Sequence, residues 1–140
     1  MAEWKIFALA SAFFAGLTAV LAKTGLQNIP SGFATFIRTI VILIFLFFIV
    51  TAKNEWQSFS SLNKHSLLFL ILSGIATGLS WLCYFKALQA GPASLVAPID
   101  KLSIVFAVFL SIIFLGESLC LAQWIGIALI TSGAIIIICK

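Results

Sequence analysis

Five stretches of this chain, residues 4–22, 32–52, 66–88, 94–115 and 119–139, are almost wholly apolar. Each reaches the roughly 18 residues that mark a membrane-spanning helix. At about 1.5 Å per residue, such helices match a hydrocarbon core about 30 Å thick. The links between them are short. Residues 23–31 contain Asn28 and the turn proline Pro30, 53–65 form the longest link, 89–93 hold Gly91-Pro92, and 116–118 make a tight turn. Short links make consecutive helices antiparallel neighbours and leave no room for a soluble domain. The sequence thus predicts an all-α integral membrane protein, a single domain over residues 1–140 with five transmembrane helices. An odd number of crossings puts the two termini on opposite faces.

Composition agrees with the bilayer as solvent. Hydrophobic residues make up 63% of the chain and charged residues 9%, against about 25% charged in soluble domains; mean hydropathy is +1.24. The net charge of +4 comes from basic residues spread singly, without the runs or aromatic interleaving that bind nucleic acid. Cys83, Cys120 and Cys139 lie in apolar stretches, odd in number and without Cys-x-x-Cys spacing. Buried thiols are expected there, rather than a disulfide framework or a zinc site. His65 is the single histidine, so neither a metal nor a cofactor is expected. Ala8-Leu9-Ala10 looks like a cleavage box, but the apolar lead-in before it is too short for a signal peptide. The first helix is therefore expected to be retained.

Orientation is less determined. Lys5, Lys53 and Lys64 fall on the face of the N-terminus, and Lys23, Lys86 and Lys140 on the other, three against three. The positive-inside rule needs an excess on one side. Either the chain inserts one way for another reason, or it inserts both ways and forms an antiparallel dimer. Small residues provide surfaces for helix association in lipid. They are Ala8, Ala12, Ala15, Ala19 and Ala22 in the first helix, Gly74-x-x-x-Gly78 in the third, and Gly126 and Gly133 in the fifth. They pack helices either within a subunit or, most freely for the terminal helix, between subunits.

Charge inside the spans is the most informative feature, because ionisable groups in a bilayer are costly and mark function by default. Arg38, Lys86, Asp100 and Lys101 all fall in the half of the membrane away from the N-terminal face. Lys86 and Asp100 are placed for a salt bridge across the tight link, or Lys86 snorkels to the interface. Asp100 and Lys101 are adjacent, point about 100° apart around a helix, and are not expected to pair. One carboxylate cannot neutralise Arg38, Lys86 and Lys101, so the surplus charge calls for water, another subunit or an anionic ligand. Pro98 is expected to loosen the start of the fourth helix around Ser94, an irregularity tolerated only against protein or a water-filled cavity. Trp81 and Tyr84 lie near the same depth, lining a pocket or joining the interfacial aromatic belt. Glu117-Ser118 are expected to cap the fifth helix, with a proton relay at Glu117 as the other reading.

From the third helix onward the motifs become specific. Trp81-Leu-Cys-Tyr84-Phe-Lys86-Ala87-Leu88 is followed by Gly91-Pro92-Ala-Ser94, then Ala97-Pro98-Ile-Asp100-Lys101-Leu-Ser103, Phe114-Leu-Gly116-Glu117, Gln123-Trp-Ile-Gly126 and Gly133. This pattern closely resembles the EamA repeat of the drug/metabolite transporter superfamily, from about Leu67 to the end. The first two helices fit it in hydropathy and in Arg38. Most such proteins carry two inverted repeats in ten helices, so the resemblance implies that two copies of this chain complete a transporter, a homodimer in antiparallel arrangement. It also implies a prokaryotic inner membrane. The chain resembles the small multidrug proteins of the same superfamily too, but lacks their glutamate deep in the first helix; Glu3 stands at its edge.

The function expected is alternating-access transport of a small anionic or carboxylate-bearing metabolite. Arg38 and Lys101 would attract the solute, with Asp100, Lys86, Trp81 and Tyr84 around it. The alternative is an accessory or scaffold subunit paired with a different half-transporter. An enzyme is disfavoured, because one histidine and four acids make no recognisable catalytic set.

Overall fold

The computed structural model describes residues 3–58 and 61–138. Among these it contains five helical spans long and apolar enough to cross a membrane. They are α1 (Glu3–Gly25), α2 (Ser31–Ala52), α3 (Lys64–Ala90), an interrupted fourth span, and α6 (Leu121–Ile138). The fourth span consists of α4 (Ala93–Asp100), α5 (Ser103–Leu110) and a π-helical turn, Ser111–Leu115. Most large apolar side chains face outward, among them Phe7, Phe48, Phe106 and Phe114, as a bilayer allows and water would not.

Local chemistry sets the helix ends. Glu3 in the first turn and Lys23 in the last turn of α1 oppose the helix dipole. Thr35, Thr39 and Thr51 in α2 donate their hydroxyls to the carbonyls of Ser31, Thr35 and Phe47 at 2.7–2.8 Å, so these three hydroxyls are paired in lipid. Asn54 adopts φ 56°. The Asn54 and Glu55 N–H groups bond Thr51 and Val50 carbonyls at 3.1 and 3.0 Å, the double bond of a Schellman stop. Trp56 folds back on that stop, donating to Thr51 Oγ1 at 3.1 Å and meeting the Phe47 ring edge-on at 5.5 Å. Asn63 caps α3 by accepting the His65 N–H at 3.0 Å.

Three expectations are corrected here. The helix start around Ser94 is regular, with the Leu95 and Val96 N–H groups bonded to Pro92 O at 3.0 and 3.1 Å. The break falls after Pro98 instead. Lys101 and Leu102 N–H groups reach only three residues back, to Pro98 and Ile99 at 3.1 and 2.9 Å, and α4 ends at Asp100. Proline removes a donor and crowds the preceding turn, and here the ladder tightens on its C-terminal side. The cap of α6 is Cys120, whose N–H donates to Gln123 Oε1 at 2.8 Å. Glu117 and Ser118 lie before it, in the turn opened by Gly116 at φ 66°. The side chain three residues into a helix can serve its first N–H as well as a cap residue does. Cys83 and Cys120 are exposed, not buried, since apolar neighbours in a spanning segment signal a lipid-facing surface as readily as a core. Cys139 and Lys140 lie outside the described residues.

Packing divides the chain into two units, Ala22–Gln89 and a second made of Met1–Leu21 with Ala90–Lys140. In the first, Leu26, Thr35, Phe85 and Leu88 are buried. In the second, α6 returns alongside α4 and α5, and Ala19 and Ala134 are buried.

Candidate functional site

Arg38 and the α3 aromatics sit in the unit built on α2 and α3. Trp81 and Phe85 are four residues apart in α3, hence on one face. The Arg38 guanidinium lies 4.3 Å from the centre of the Trp81 ring and 5.3 Å from that of Phe85. Phe85 is buried and Trp81 half-buried. Tyr84 is half-buried, and its ring is 6.4 Å from that of Phe85. The cation is thus held by ring faces. Among the described residues it has neither a carboxylate partner nor a hydrogen-bond acceptor. A guanidinium lying on a ring keeps its N–H fork at its edge, in the plane that suits a carboxylate or phosphate.

Two long-range hydrogen bonds brace the same unit. Lys23 Nζ donates to Leu88 O and Gln89 Nε2 to Ile29 O, each at 2.5 Å. Lys23 thereby satisfies a carbonyl in the last turn of α3 and opposes its dipole. Beside these bonds is a hollow of about 360 Å³, whose polar lining comes from Lys23, Thr24, Gln27, Asn28 and Gln89. Lys86 is exposed and joins no ion pair among the described residues.

Asp100 and Lys101 belong to the other unit, at the break of the fourth span. Contrary to the sequence expectation, they pair with each other, Lys101 Nζ to Asp100 Oδ2 at 3.8 Å. Lys101 is the C-cap of α4, still in the right-handed helical region at φ −68° and ψ −11°, so it is the length of the lysine side chain that spans the offset between helical neighbours. The pair is partly exposed and too long to be a hydrogen bond. Pro98, Ala97 and Lys101 line a groove of about 430 Å³ against α6 residues that include Leu129, Gly133 and Ile137. Ser94 is exposed on α4, outside that lining.

The four glycines singled out for packing, Gly74, Gly78, Gly126 and Gly133, have open space where a side chain would begin, with no atom within 4 Å. Phe85 and the α6 groove residues Leu129 and Ile137 are not singled out by the sequence, whereas Pro98, Lys101 and Gly133 of the same lining are. Phe85 carried a usable signal, its helical spacing from Trp81; the pairing of α6 with α4 carried none.

The model of the EamA-like transporter family matches residues 3–139. The chain is 52% identical over 135 residues to an uncharacterised transporter in the cobO 3′ region of a Sinorhizobium species, covering 96% of each chain. It is 30% identical over 132 residues to an uncharacterised protein of Methanocaldococcus jannaschii, covering 94% of this chain and 93% of that one. No solved structure matches.

Proposed function

Because this chain belongs to the EamA-like transporter family, a family of membrane transporters and not of enzymes, we propose that it is half of a transporter for a small organic anion. Two copies assemble around a shared pathway, in antiparallel arrangement, in the cell membrane. Arg38 receives the anionic group, and the substrate crosses as the dimer alternates its opening between the two faces. Inverted symmetry puts such sites near the midplane. The balanced lysines on the two faces support dual insertion, and the open glycines leave helix surfaces close enough for a second subunit to approach.

The observation that carries this reading is the Arg38 guanidinium, laid on Trp81 and Phe85 inside a span, with no countercharge among the described residues. A structural arginine in a bilayer is expected to be ion-paired or hydrogen-bonded. This one is oriented and left available.

The test is ligand-dependent thermal stability of the detergent-purified protein against a library of metabolite anions, with Arg38→Gln alongside. A ligand at 100 times its dissociation constant adds about 2.7 kcal/mol. Stabilisation by an anion that disappears in Arg38→Gln, with the oligomer unchanged in mass, is the expected result. Equal stabilisation of the variant sinks the assignment. A silent screen, with an unlike membrane protein co-purifying, points instead to an accessory subunit of a mixed transporter.

A further inference from the structure

Alongside the transport reading, and on a different part of the chain from Arg38, we propose that the α4–α6 groove is a second binding site. It takes an amphiphilic monocarboxylate whose apolar body lies in the groove and whose head pairs with Lys101. The groove is about 430 Å³, within the range of small-molecule sites, which are mostly apolar with a few polar groups that fix orientation. Leu129, Gly133 and Ile137 are spaced four apart and form one stripe of α6. Facing them are Ala97, Pro98 and Lys101. Gly133 creates the space: a Cβ there would meet no atom within 4 Å.

Lys101 is the one charged residue in this lining. Its ammonium is therefore within one side-chain length of whatever occupies the groove. Asp100 is not part of the lining. At 3.8 Å it neutralises the ammonium without hydrogen-bonding it. The three N–H donors of Lys101 make no hydrogen bond among the described residues and are open to a carboxylate. Asp100 acts as the resident countercharge that the carboxylate head displaces. An apolar wall with one displaceable lysine suits a chain or ring ending in a carboxylate. It does not suit a sugar or an inorganic anion, whose hydroxyls or oxygens would meet apolar wall unpaired.

The experiment is saturable binding of radiolabelled octanoate to the protein in phosphatidylcholine nanodiscs, displaced by straight-chain monocarboxylates from butanoate to decanoate. Partitioning into the bilayer does not saturate and is the same for every variant, so it drops out. Affinity is expected to rise up to about fourfold per methylene until the groove is full. Gly133→Leu should lower octanoate affinity at least about tenfold while leaving butanoate within about twofold, because only the groove is filled. Gly133→Ala, which the open space accommodates, should give an intermediate loss and guards against a folding failure. Lys101→Gln should weaken every chain length by a similar factor, about tenfold, and Asp100→Asn should strengthen all of them by removing the competing charge.

Affinity flat in chain length, or unchanged by Gly133→Leu, overturns the proposal. So does octylamine or 2-aminooctanoate competing better than octanoate, which would assign the head site to Asp100. Loss of octanoate binding as phospholipid is added would make a bilayer acyl chain the occupant and overturn it equally. Arg38-dependent stabilisation by short hydrophilic anions, with no saturable octanoate site, would remove the groove and leave the transport reading standing.

Discussion

The two units of this chain hold their intramembrane cations in opposite ways. In the α2–α3 unit, Arg38 rests on two aromatic faces with no acid nearby among the described residues. In the unit with α4 and α6, Lys101 sits beside Asp100 at the end of a broken helix. Ring faces orient a cation without neutralising it, whereas a carboxylate neutralises it and is itself a competitor. On the reading proposed above, the first arrangement would be a standing receptor for an anion, and the second a pair that opens when an anion arrives. The backbone differs in parallel: α2 and α3 are uninterrupted, while the fourth span carries a proline, a tightened turn and a π segment. Discontinuous helices of this kind recur where transporters bind and move substrate.

The largest effect expected from this contrast comes from replacing Arg38 by lysine, which keeps the charge but loses the planar group. If stacking is what makes Arg38 a receptor, Arg38→Lys should weaken anion binding by about 2 kcal/mol, close to thirtyfold. Trp81→Leu, which leaves the guanidinium intact, should cause a comparable loss. Isothermal titration of the anion found by the stability screen measures both. Full affinity in Arg38→Lys would reduce the site to a point charge and erase its difference from Lys101.

How much of this was legible depended on whether one helix or two carried the information. The five spans follow from apolar length alone, since no other solvent suits such runs. Arg38, Asp100 and Lys101 stood out because charge within a span is rare. The Asp100–Lys101 pair was not legible because the angular offset of helical neighbours says nothing of how far a long lysine side chain reaches back across it. The Cys120–Gln123 cap was passed over because Glu117-Ser118 matched the usual cap residue types. The groove was not legible, because it needs Ala97 and Lys101 opposite Gly133 and Ile137, and a sequence period says which residues share a face, not which face they meet.

A middle-sized effect concerns Pro98. An interior proline removes a helix hydrogen bond and costs up to about 3 kcal/mol; Pro98→Ala restores a donor to the ladder at the break. The variant should be more stable than the parent by about 1 kcal/mol or more in thermal unfolding. It should also transport more slowly in proteoliposomes with anion affinity unchanged, because the interrupted span would stiffen. Unchanged transport would make the break an architectural detail, and the backbone contrast between the units would then carry no functional weight.

The smallest effects compare two of the three left-handed residues among those described, Asn54 after α2 and Gly116 after the π segment, at φ 56° and 66°. Glycine adopts this region freely, asparagine at modest cost, and alanine only with strain of about 1 kcal/mol. Gly116→Ala should therefore lower stability by about 1 kcal/mol, while Asn54→Gly should change it by less than about 0.5 kcal/mol. The Asn54 turn is also held by Trp56 against Thr51 and Phe47, so a gain in backbone ease there is offset by a looser unfolded chain. Thermal unfolding of both variants in one detergent decides the matter. A neutral Gly116→Ala would mean that the junction between the broken span and α6 readjusts at little cost, making that unit the pliable one even without its proline.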